Sequence, residues 1–150
     1  MTAAYTTGVD CIVDASVGIK LFLVEPIAER AEALFAHPGD DFPARLYVPD
    51  LFYVECANIL WKYIRRVGYP SQAAQQDVAD LIQLRLQVVS TAVLVEHALA
   101  LATLSGFTAY DAAYVALSDR LSLPMVTADQ TLVRRLQETD LDVRFLGDWP

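Results

Sequence analysis

Short apolar runs alternate with helical patterns along this chain, and this alternation restricts the possible folds more than any other feature. The runs are bounded by turn residues and are too short for helices, so they predict buried strands. The predicted strands cover residues 11–13, 45–48, 88–89, 124–127 and 143–145. The predicted helices cover residues 17–24, 26–35, 49–67, a segment from 71 onwards, 91–105, 109–121 and 129–138. This alternation predicts an α/β fold, a three-layer sandwich with a mostly parallel central sheet flanked by helices.

The predicted helix boundaries rest on capping residues. Ser16 is expected to cap the helix that follows it, and Pro26 is expected to open the next helix at a first-turn position. Thr108, with Asp111 three residues later, has the spacing of a capping box. Gly106 should end the helix before that box, since glycine tolerates the left-handed backbone of a helix terminus.

The bulk properties predict one globular domain with an apolar surface. The length of 150 residues suits a single domain, and no repeat or linker divides the chain. Residues 1–8 are small and polar and are expected to fray. The hydrophobic fraction of 55% and the mean hydropathy of +0.33 are high for a soluble protein. They indicate that some apolar surface meets a partner.

The expected compartment is a reducing one, and no membrane is expected. No apolar run reaches the roughly 18 residues that a spanning helix needs. The first lysine or arginine is Lys20, and Asp10 and Asp14 interrupt the first apolar stretch, so a secretory signal is not expected. Cys11 and Cys56 both stand in apolar patterns and are predicted to be buried thiols. We therefore expect a cytoplasmic protein.

The net charge of −8 argues against passive binding of nucleic acid, which usually requires a basic surface. It does not argue against an enzyme that meets phosphate through bound cations, because a metal ion inverts the local field.

Four acidic residues stand among apolar neighbours, namely Asp14, Glu55, Asp111 and Asp129. A carboxylate in such company is costly to bury unless it is paired or binds a metal. No lysine or arginine lies near any of the four in sequence, although a partner from elsewhere in the fold stays open. The acids in mixed polar stretches are predicted to be solvated: Glu25, Glu29, Glu32, Asp77, Asp80, Asp140 and Asp142.

The predicted topology can bring these four acids to one place. Asp14 and Asp129 each follow a predicted buried strand, and ligands of open α/β sheets bind beyond the carboxyl ends of the strands. Glu55 shares a helical stripe with apolar residues and should face inward, and Asp111 lies near the start of its helix. Helix capping remains an alternative for Asp14, Asp111 and Asp129, whereas an inward Glu55 needs a partner. Clustered carboxylates suit Mg²⁺ or Mn²⁺, one or two ions, and such sites most often hydrolyse phosphodiesters with a metal-activated water.

At these residues the chain resembles a PIN domain, and specifically the VapC-type toxin ribonucleases of toxin–antitoxin pairs. VDAS at 13–16 resembles the first motif of the family, with Asp14 as a metal ligand and Ser16 as a supporting hydroxyl. Residues 49–60, with Glu55 and Asn58, resemble the helix that carries a proline, a glutamate and an asparagine. YDAAYVAL at 110–117 resembles the third motif, and TAD at 127–129 the last, with Thr127 as a supporting hydroxyl.

The resemblance covers nearly the whole chain and implies a PIN-like fold and a catalytic metal site. Its metal-binding and catalytic residues would be Asp14, Glu55, Asp111 and Asp129. It further implies endoribonuclease activity on structured RNA, a homodimer, and inhibition by a small antitoxin protein that blocks the site.

Several other residues are candidates for functional or structural roles. The candidates for contacts with the RNA backbone are Lys20, Lys62, Arg65 and Arg66, with a solvated helix end as an equal explanation for the two arginines. His37 and His97 are predicted to have structural or solvent roles, because neither is placed like the base of a catalytic triad. Trp61 is expected in the core or at a dimer interface.

Alternative functions follow from the same acids. A phosphoacceptor receiver domain needs adjacent acids after the first strand and a late lysine, and no lysine follows Lys62. A haloacid-dehalogenase-like phosphatase needs two aspartates separated by one residue, but Ser16 stands two positions after Asp14. A PIN nuclease that processes RNA or DNA without a toxin role stays open, as does a non-catalytic module whose acidic edge binds a basic peptide.

Overall fold

A five-stranded parallel sheet forms the centre of the fold. The structure, a computed structural model, describes residues 8–36 and 44–150. The strands are β1 (Cys11–Val13), β2 (Leu46–Pro49), β3 (Leu86–Val89), β4 (Met125–Thr127) and β5 (Val143–Phe145). Their order in the sheet is β3-β2-β1-β4-β5, and every neighbouring pair is parallel. The predicted α/β sandwich is thereby confirmed.

Seven α-helices flank the sheet within the described residues. They are α1 (Ala15–Gly18), α2 (Ala28–Phe35), α3 (Leu51–Val67), α4 (Ser71–Ile82), α5 (Val95–Ser105), α6 (Ala109–Leu121) and α7 (Gln130–Leu136). Helix α3 packs on α1, α4 and β2, whereas α6 packs on α5 and on β1, β2 and β4. The connections from β1 to β2 and from β2 to β3 run toward one edge of the sheet, whereas the connection from β3 to β4 runs back across it. Because such crossovers are right-handed, α5 and α6 lie on the opposite face of the sheet from α3. None of the helices in the described ranges is both long and apolar enough to cross a membrane.

The point where the strand order reverses lies between β1 and β4. The chain first extends the sheet from β1 through β2 to β3, and it then returns to the other side of β1 with β4 and β5. All residues of β1 and β4 are buried, because helices cover both faces of a parallel sheet. Asp14 follows β1 directly and Asp129 stands two residues after β4. Both acids therefore lie at the topological switch point.

A glycine allows helix α1 to lie close against α3. A Cβ atom on Gly18 would stand 2.6 Å from Cζ of Phe52, which is fully buried. Only a residue without a side chain fits this contact. The close packing places α3, which carries Glu55, beside the segment that follows Asp14.

Most predicted elements are confirmed, and three helix starts were wrong. The helix predicted from residue 91 begins at Val95, after a separate 3₁₀ turn over Thr91–Val93. Thr108 caps α6, and Gly106 ends α5 in a left-handed conformation with φ +74°. Ser16 does not cap a helix over 17–24: α1 begins at Ala15 and continues as a 3₁₀ turn over Ile19–Leu21. The Ser16 hydroxyl instead makes tertiary hydrogen bonds.

Pro26 does not open the second helix, which begins at Ala28. The intervening residue, Ile27, has a left-handed backbone with φ 57°, so it cannot continue a right-handed helix. The prediction for residues 1–8 falls on the undescribed segment 1–7 except for Gly8, and the prediction for His37 lies outside the described residues.

Candidate active site

Asp14 is the most enclosed of the four acids. It follows β1 and is only 7% exposed. Its Oδ2 atom accepts two hydrogen bonds, from the Ser16 hydroxyl at 2.7 Å and from the Thr127 hydroxyl at 2.8 Å. The two predicted supporting hydroxyls therefore lie where the sequence placed them, against the carboxylate that ends the first strand.

These hydroxyls are held in turn by the backbone that follows β4. The Ala128 N–H donates to Oγ of Ser16 at 3.0 Å, and the Asp129 N–H donates to Oγ1 of Thr127 at 3.1 Å. Each hydroxyl thus accepts from the β4 loop and donates to Asp14. This arrangement connects the ends of β1 and β4 across the switch point and determines which way the carboxylate points.

The pKa of Asp14 is raised to about 6. Burial is the main cause, and the charge of Asp111 raises it further. The hydrogen bonds from Ser16 and Thr127 act in the opposite direction, because they stabilise the ionised form. The net effect is a carboxylate that is costly to ionise in the absence of a cation.

Glu55 faces inward from α3, as its sequence pattern predicted. Its Oε2 atom accepts a hydrogen bond from the hydroxyl of Tyr114, a fully buried residue of α6, at 3.3 Å. Its Oε1 atom is buried, and no hydrogen-bond partner for it is present in the described part of the chain. Burial raises the pKa of Glu55 to about 7, and the charges of Asp14 and Asp111 add to that shift.

Asp111 lies in the first turn of α6. Its backbone N–H donates to Oγ1 of Thr108 at 3.1 Å, which is one half of the predicted capping box. Burial raises the pKa of its carboxyl, and the charge of Asp129 raises it further, whereas Arg135 lowers it. Arg135 belongs to α7, so this cationic neighbour could not be seen from the sequence around Asp111.

Asp129 is exposed and caps α7. Its Oδ1 atom accepts from the backbone N–H groups of Thr131 at 2.9 Å and Leu132 at 3.2 Å. Capping, the alternative considered for this residue, is therefore its structural role. Its Oδ2 atom takes no part in these two hydrogen bonds, and its charge reaches Asp111.

Two cavities border Glu55, Asp111 and Asp129, and both are lined by Ile59 of α3. The first cavity, of about 500 Å³, is lined by Val54, Glu55, Asn58, Ile59, Lys62, Tyr110 and Asp111. The second cavity, of about 260 Å³, is lined by Ser16, Ile19, Lys20, Glu25, Ile59, Tyr63, Ala128 and Asp129. Asn58 thus lies in the wall of the first cavity near Glu55 and Asp111. Each cavity combines carboxylates with one lysine.

The four basic candidates differ in their surroundings. Lys62 is exposed in the wall of the first cavity. Lys20 is only 6% exposed, and its Nζ lies 3.5 Å from Oε2 of Glu25. The prediction that Glu25 is solvated was therefore wrong. Its partner, Lys20, could not be identified from the sequence around Glu25. At the end of α3, Arg66 is exposed and Arg65 lies over the ring of Trp61.

Trp61 and His97 lie outside the two cavities. Trp61 is 54% exposed, so the core alternative was wrong for it. His97 is exposed and contacts Asp119 at 2.9 Å, which agrees with a structural or solvent role.

The four carboxylates are chemically suited to bind a hard cation, but they do not surround a common point. The four acids offer oxygen atoms only, and the buried Oε1 of Glu55 has no hydrogen-bond donor among the described residues. Burial raises the pKa values of Asp14, Glu55 and Asp111, and the charges of neighbouring acids raise them further. In residues 8–36 and 44–150, no three His, Cys, Asp or Glu side chains lie close enough together to hold a metal ion between them.

Comparisons with known proteins agree on one family. The PIN domain family model matches residues 11–137. Ribonuclease VapC3 of Pyrobaculum aerophilum is 34% identical over 126 residues, which is 83% of this chain and 92% of that protein. The crystal structure of PAE2754 from the same organism superposes with a TM-score of 0.67 at 25% identity, covering 97% of this chain and 92% of that one. A toxin–antitoxin complex from Klebsiella pneumoniae has the same fold, with a TM-score of 0.63 at 16% identity and coverage of 91% and 98%.

Proposed function

This chain belongs to the PIN domain family, and on that premise we propose that it is a metal-dependent endoribonuclease that acts as the toxin of a toxin–antitoxin pair. The observation that supports the proposal most is the set of four carboxylates at the switch point of the sheet, two of them at strand ends and two from α3 and α6. Similarity to a ribonuclease over most of the chain supports RNA as the substrate.

The acids would hold Mg²⁺ or Mn²⁺, as one or two ions. The oxygen ligands would come from Asp14, Glu55, Asp111 and Asp129. In the described residues these side chains are not close enough together to hold an ion, so they would have to move together when it binds. A bound cation of this kind stabilises charge on a phosphodiester and lowers the pKa of a water molecule. Cation binding would also offset the cost of burying ionised carboxylates and the smaller repulsion between them, which together raise the carboxyl pKa values.

The surrounding residues prepare the acids for this task. Ser16 and Thr127 fix the direction of Asp14 through hydrogen bonds to its Oδ2. Tyr114 orients Glu55 by donating to its Oε2, and burial raises the pKa of Glu55 to about 7, so that this carboxyl carries a proton in part of the metal-free protein near neutral pH. Cation binding would release that proton to solvent.

RNA would approach along α3, past both cavities. Lys62 stands in the wall of the first cavity and Lys20 in that of the second, and both can offset the charge of phosphate groups beside an otherwise acidic site. Arg65 and Arg66 extend this basic surface at the end of α3. With a net charge of −8, the chain depends on such local cations for binding.

An antitoxin partner and a homodimer are part of the same proposal. Structures with this fold include the toxin–antitoxin complex from Klebsiella pneumoniae. Here Val54 and Tyr110 expose apolar surface at the first cavity, 72% and 67% exposed, and Trp61 lies further along α3. A partner that covers this surface and places a guanidinium against the carboxylates would suit the site in both shape and charge.

Cleavage assays test the nuclease proposal. The purified protein should cut structured RNA with Mg²⁺ or Mn²⁺ and should be inactive in excess EDTA. Asp14→Asn and Asp111→Asn should each lower the rate roughly 10²-fold or more, because each removes a group that stabilises the transition state. Asp140→Asn, an exposed aspartate before β5, is the matched control and should retain full activity. Cleavage that persists in EDTA would contradict the proposal.

One observation favours a second candidate. The absence of a closed three-ligand group in the described segments would also suit a non-catalytic module whose acidic cavities bind a basic peptide. Lack of cleavage with either metal would favour that module. Cleavage without growth arrest on expression would instead favour a PIN nuclease of RNA or DNA processing that is not a toxin.

A further inference from the structure

The second cavity contains a buried lysine, Lys20, whose ammonium group makes one long contact with Glu25 among the described residues. We propose that this cavity binds one phosphate group of the RNA strand, next to the phosphate that is cut, and that Lys20 is the residue that binds it. The inference rests on the proposed nuclease function and assigns to this cavity the role of a substrate subsite.

Burial of Lys20 is the first observation. In the described part of the chain, Lys20 and Asp14 are the two buried side chains that carry charge by type. A buried ammonium group is costly unless its charge and its donors are satisfied. A lysine that merely supported the surface would extend into solvent, as the neighbouring Lys62 does.

The contacts of Lys20 do not complete its requirements. An ammonium group has three N–H donors. The contact that the described residues offer is Oε2 of Glu25 at 3.5 Å, whereas a charge-assisted hydrogen bond is roughly 2.7–2.9 Å long. Nζ therefore has donors to spare for a further acceptor, and the cavity that Lys20 lines is the space in which such an acceptor would lie.

The position of the cavity relates it to the acids. Ser16, which donates to Asp14, and Asp129 form part of its wall, and Ile59 separates it from the cavity of Glu55 and Asp111. A volume of about 260 Å³ accommodates a phosphate group. A strand lying across Ile59 would place one phosphate at the acids and its neighbour at Lys20.

The charges in this cavity make phosphate binding conditional. Glu25 and Asp129 both line it and both repel an anion. A cation bound by Asp129 and the other acids would neutralise that wall, and Lys20 would then exchange its long contact with Glu25 for the phosphate oxygen. The subsite is therefore expected to bind RNA in the presence of Mn²⁺ and weakly in EDTA.

Salt dependence of RNA binding tests the role of Lys20. We would measure fluorescence anisotropy of a labelled single-stranded RNA with the chain that keeps all four acids, in increasing KCl and with Ca²⁺, a hard cation with oxygen ligands that replaces Mn²⁺ to limit cleavage. Adding Lys20→Met should weaken binding roughly tenfold and reduce the slope of log K against log salt by about 0.7, the value for one phosphate contact on a single strand. Lys20→Arg should retain the slope. Arg85→Met is the charge-matched control, because this exposed arginine precedes β3 at the opposite edge of the sheet.

A modified RNA supplies a second test of the contact with Lys20. Replacing the phosphate next to the cleaved one by an uncharged methylphosphonate should weaken binding by the same factor as Lys20→Met. The two changes together should cost no more than either alone, because both remove one interaction. If Lys20→Met fails to fold, Lys20→Gln, which is also uncharged, replaces it in this comparison.

The outcomes separate the subsite from the nuclease proposal. An unchanged salt slope with Lys20→Met, or fully additive losses with every flanking methylphosphonate, would overturn the subsite and leave Lys20 as the counter-ion of Glu25. A smaller salt slope with Lys20→Met, together with losses of affinity that do not add, would support the phosphate subsite. If the wild-type chain cuts no RNA, the nuclease proposal fails, while the binding slopes of the uncut RNA still decide whether Lys20 contacts phosphate.

Discussion

Replacing Asp14 by asparagine should stabilise the metal-free protein above pH 6 and leave its stability near pH 4 almost unchanged. Burial raises the pKa of Asp14 from 3.8 to about 6, a shift of roughly two units. The native state therefore keeps its proton when the unfolded chain has already lost it, so wild-type stability falls as the pH rises from about 4 to about 6. At about 1.4 kcal/mol per unit, the loss amounts to about 3 kcal/mol. Asparagine is neutral at every pH, so the variant should not lose this stability as the pH rises.

Thermal melts in EDTA at pH 4, 6 and 8 measure this difference. For a domain of this length, 3 kcal/mol corresponds to roughly 6–12 °C in Tm. The control is Asp140→Asn, whose Tm should stay close to that of the wild type at every pH, because an exposed substitution of this kind changes stability by about 0.5 kcal/mol at most. Mn²⁺ at ten times its dissociation constant should stabilise the wild type by about 1.4 kcal/mol and the Asp14→Asn variant by much less.

The opposite result would refute the reasoning. Oδ2 of Asp14 accepts from two hydroxyls, and these bonds favour the ionised form. If Asp14→Asn melts below the wild type at pH 8 and Mn²⁺ shifts neither protein, these hydrogen bonds outweigh the cost of burial. Asp14 would then be a structural residue that connects β1 to the β4 loop.

Further predictions concern the half-buried Glu55 and two glycines. Binding of Mn²⁺ at pH 7 should release a proton from Glu55, which calorimetry would detect as a heat of binding that depends on the buffer. Tyr114→Phe removes a hydrogen bond to the ionised carboxylate, so it should raise the pKa of Glu55 and move the acidic limb of the pH–rate profile to higher pH. Gly106→Ala should cost about 1 kcal/mol in urea melts, because φ is +74° while a Cβ would meet open space. Gly18→Ala should cost about 1–3 kcal/mol by overlap with the buried ring of Phe52 and should also lower activity by moving α3; unchanged stability would contradict the close packing.

Much of the fold could be predicted because local patterns decide it. The runs at 11–13 and 143–145 match the strands residue for residue, since a short apolar run between turn residues has few other structures open to it. The ends of α3 and α5 were equally clear, because a glycine tolerates left-handed backbone better than other residues. The start of α2 was missed because Ile27 adopts such a conformation without being glycine.

The four acids stand out in the sequence because their neighbours are apolar, although Asp129 is exposed in the structure. Glu25 was missed for the converse reason: it stands in a mixed polar stretch, and its partner Lys20 becomes visible only when the 3₁₀ turn after α1 brings the two together. The bond between Tyr114 and Glu55 joins residues 59 positions apart, so no local pattern could reveal it.

The sequence by itself determined which segments are buried and which carboxylates are costly to bury. Both follow from the free energy of moving apolar and charged groups out of water, which depends mainly on residue type and on near neighbours. The tertiary structure decided how those carboxylates are satisfied. Two hydroxyls hold Asp14, one oxygen of Glu55 remains without a partner among the described residues, and Asp129 is occupied by the cap of α7. Hydrogen bonds and charge interactions depend on distance and direction, and those are defined only once the crossovers have brought β1, β4, α3 and α6 together.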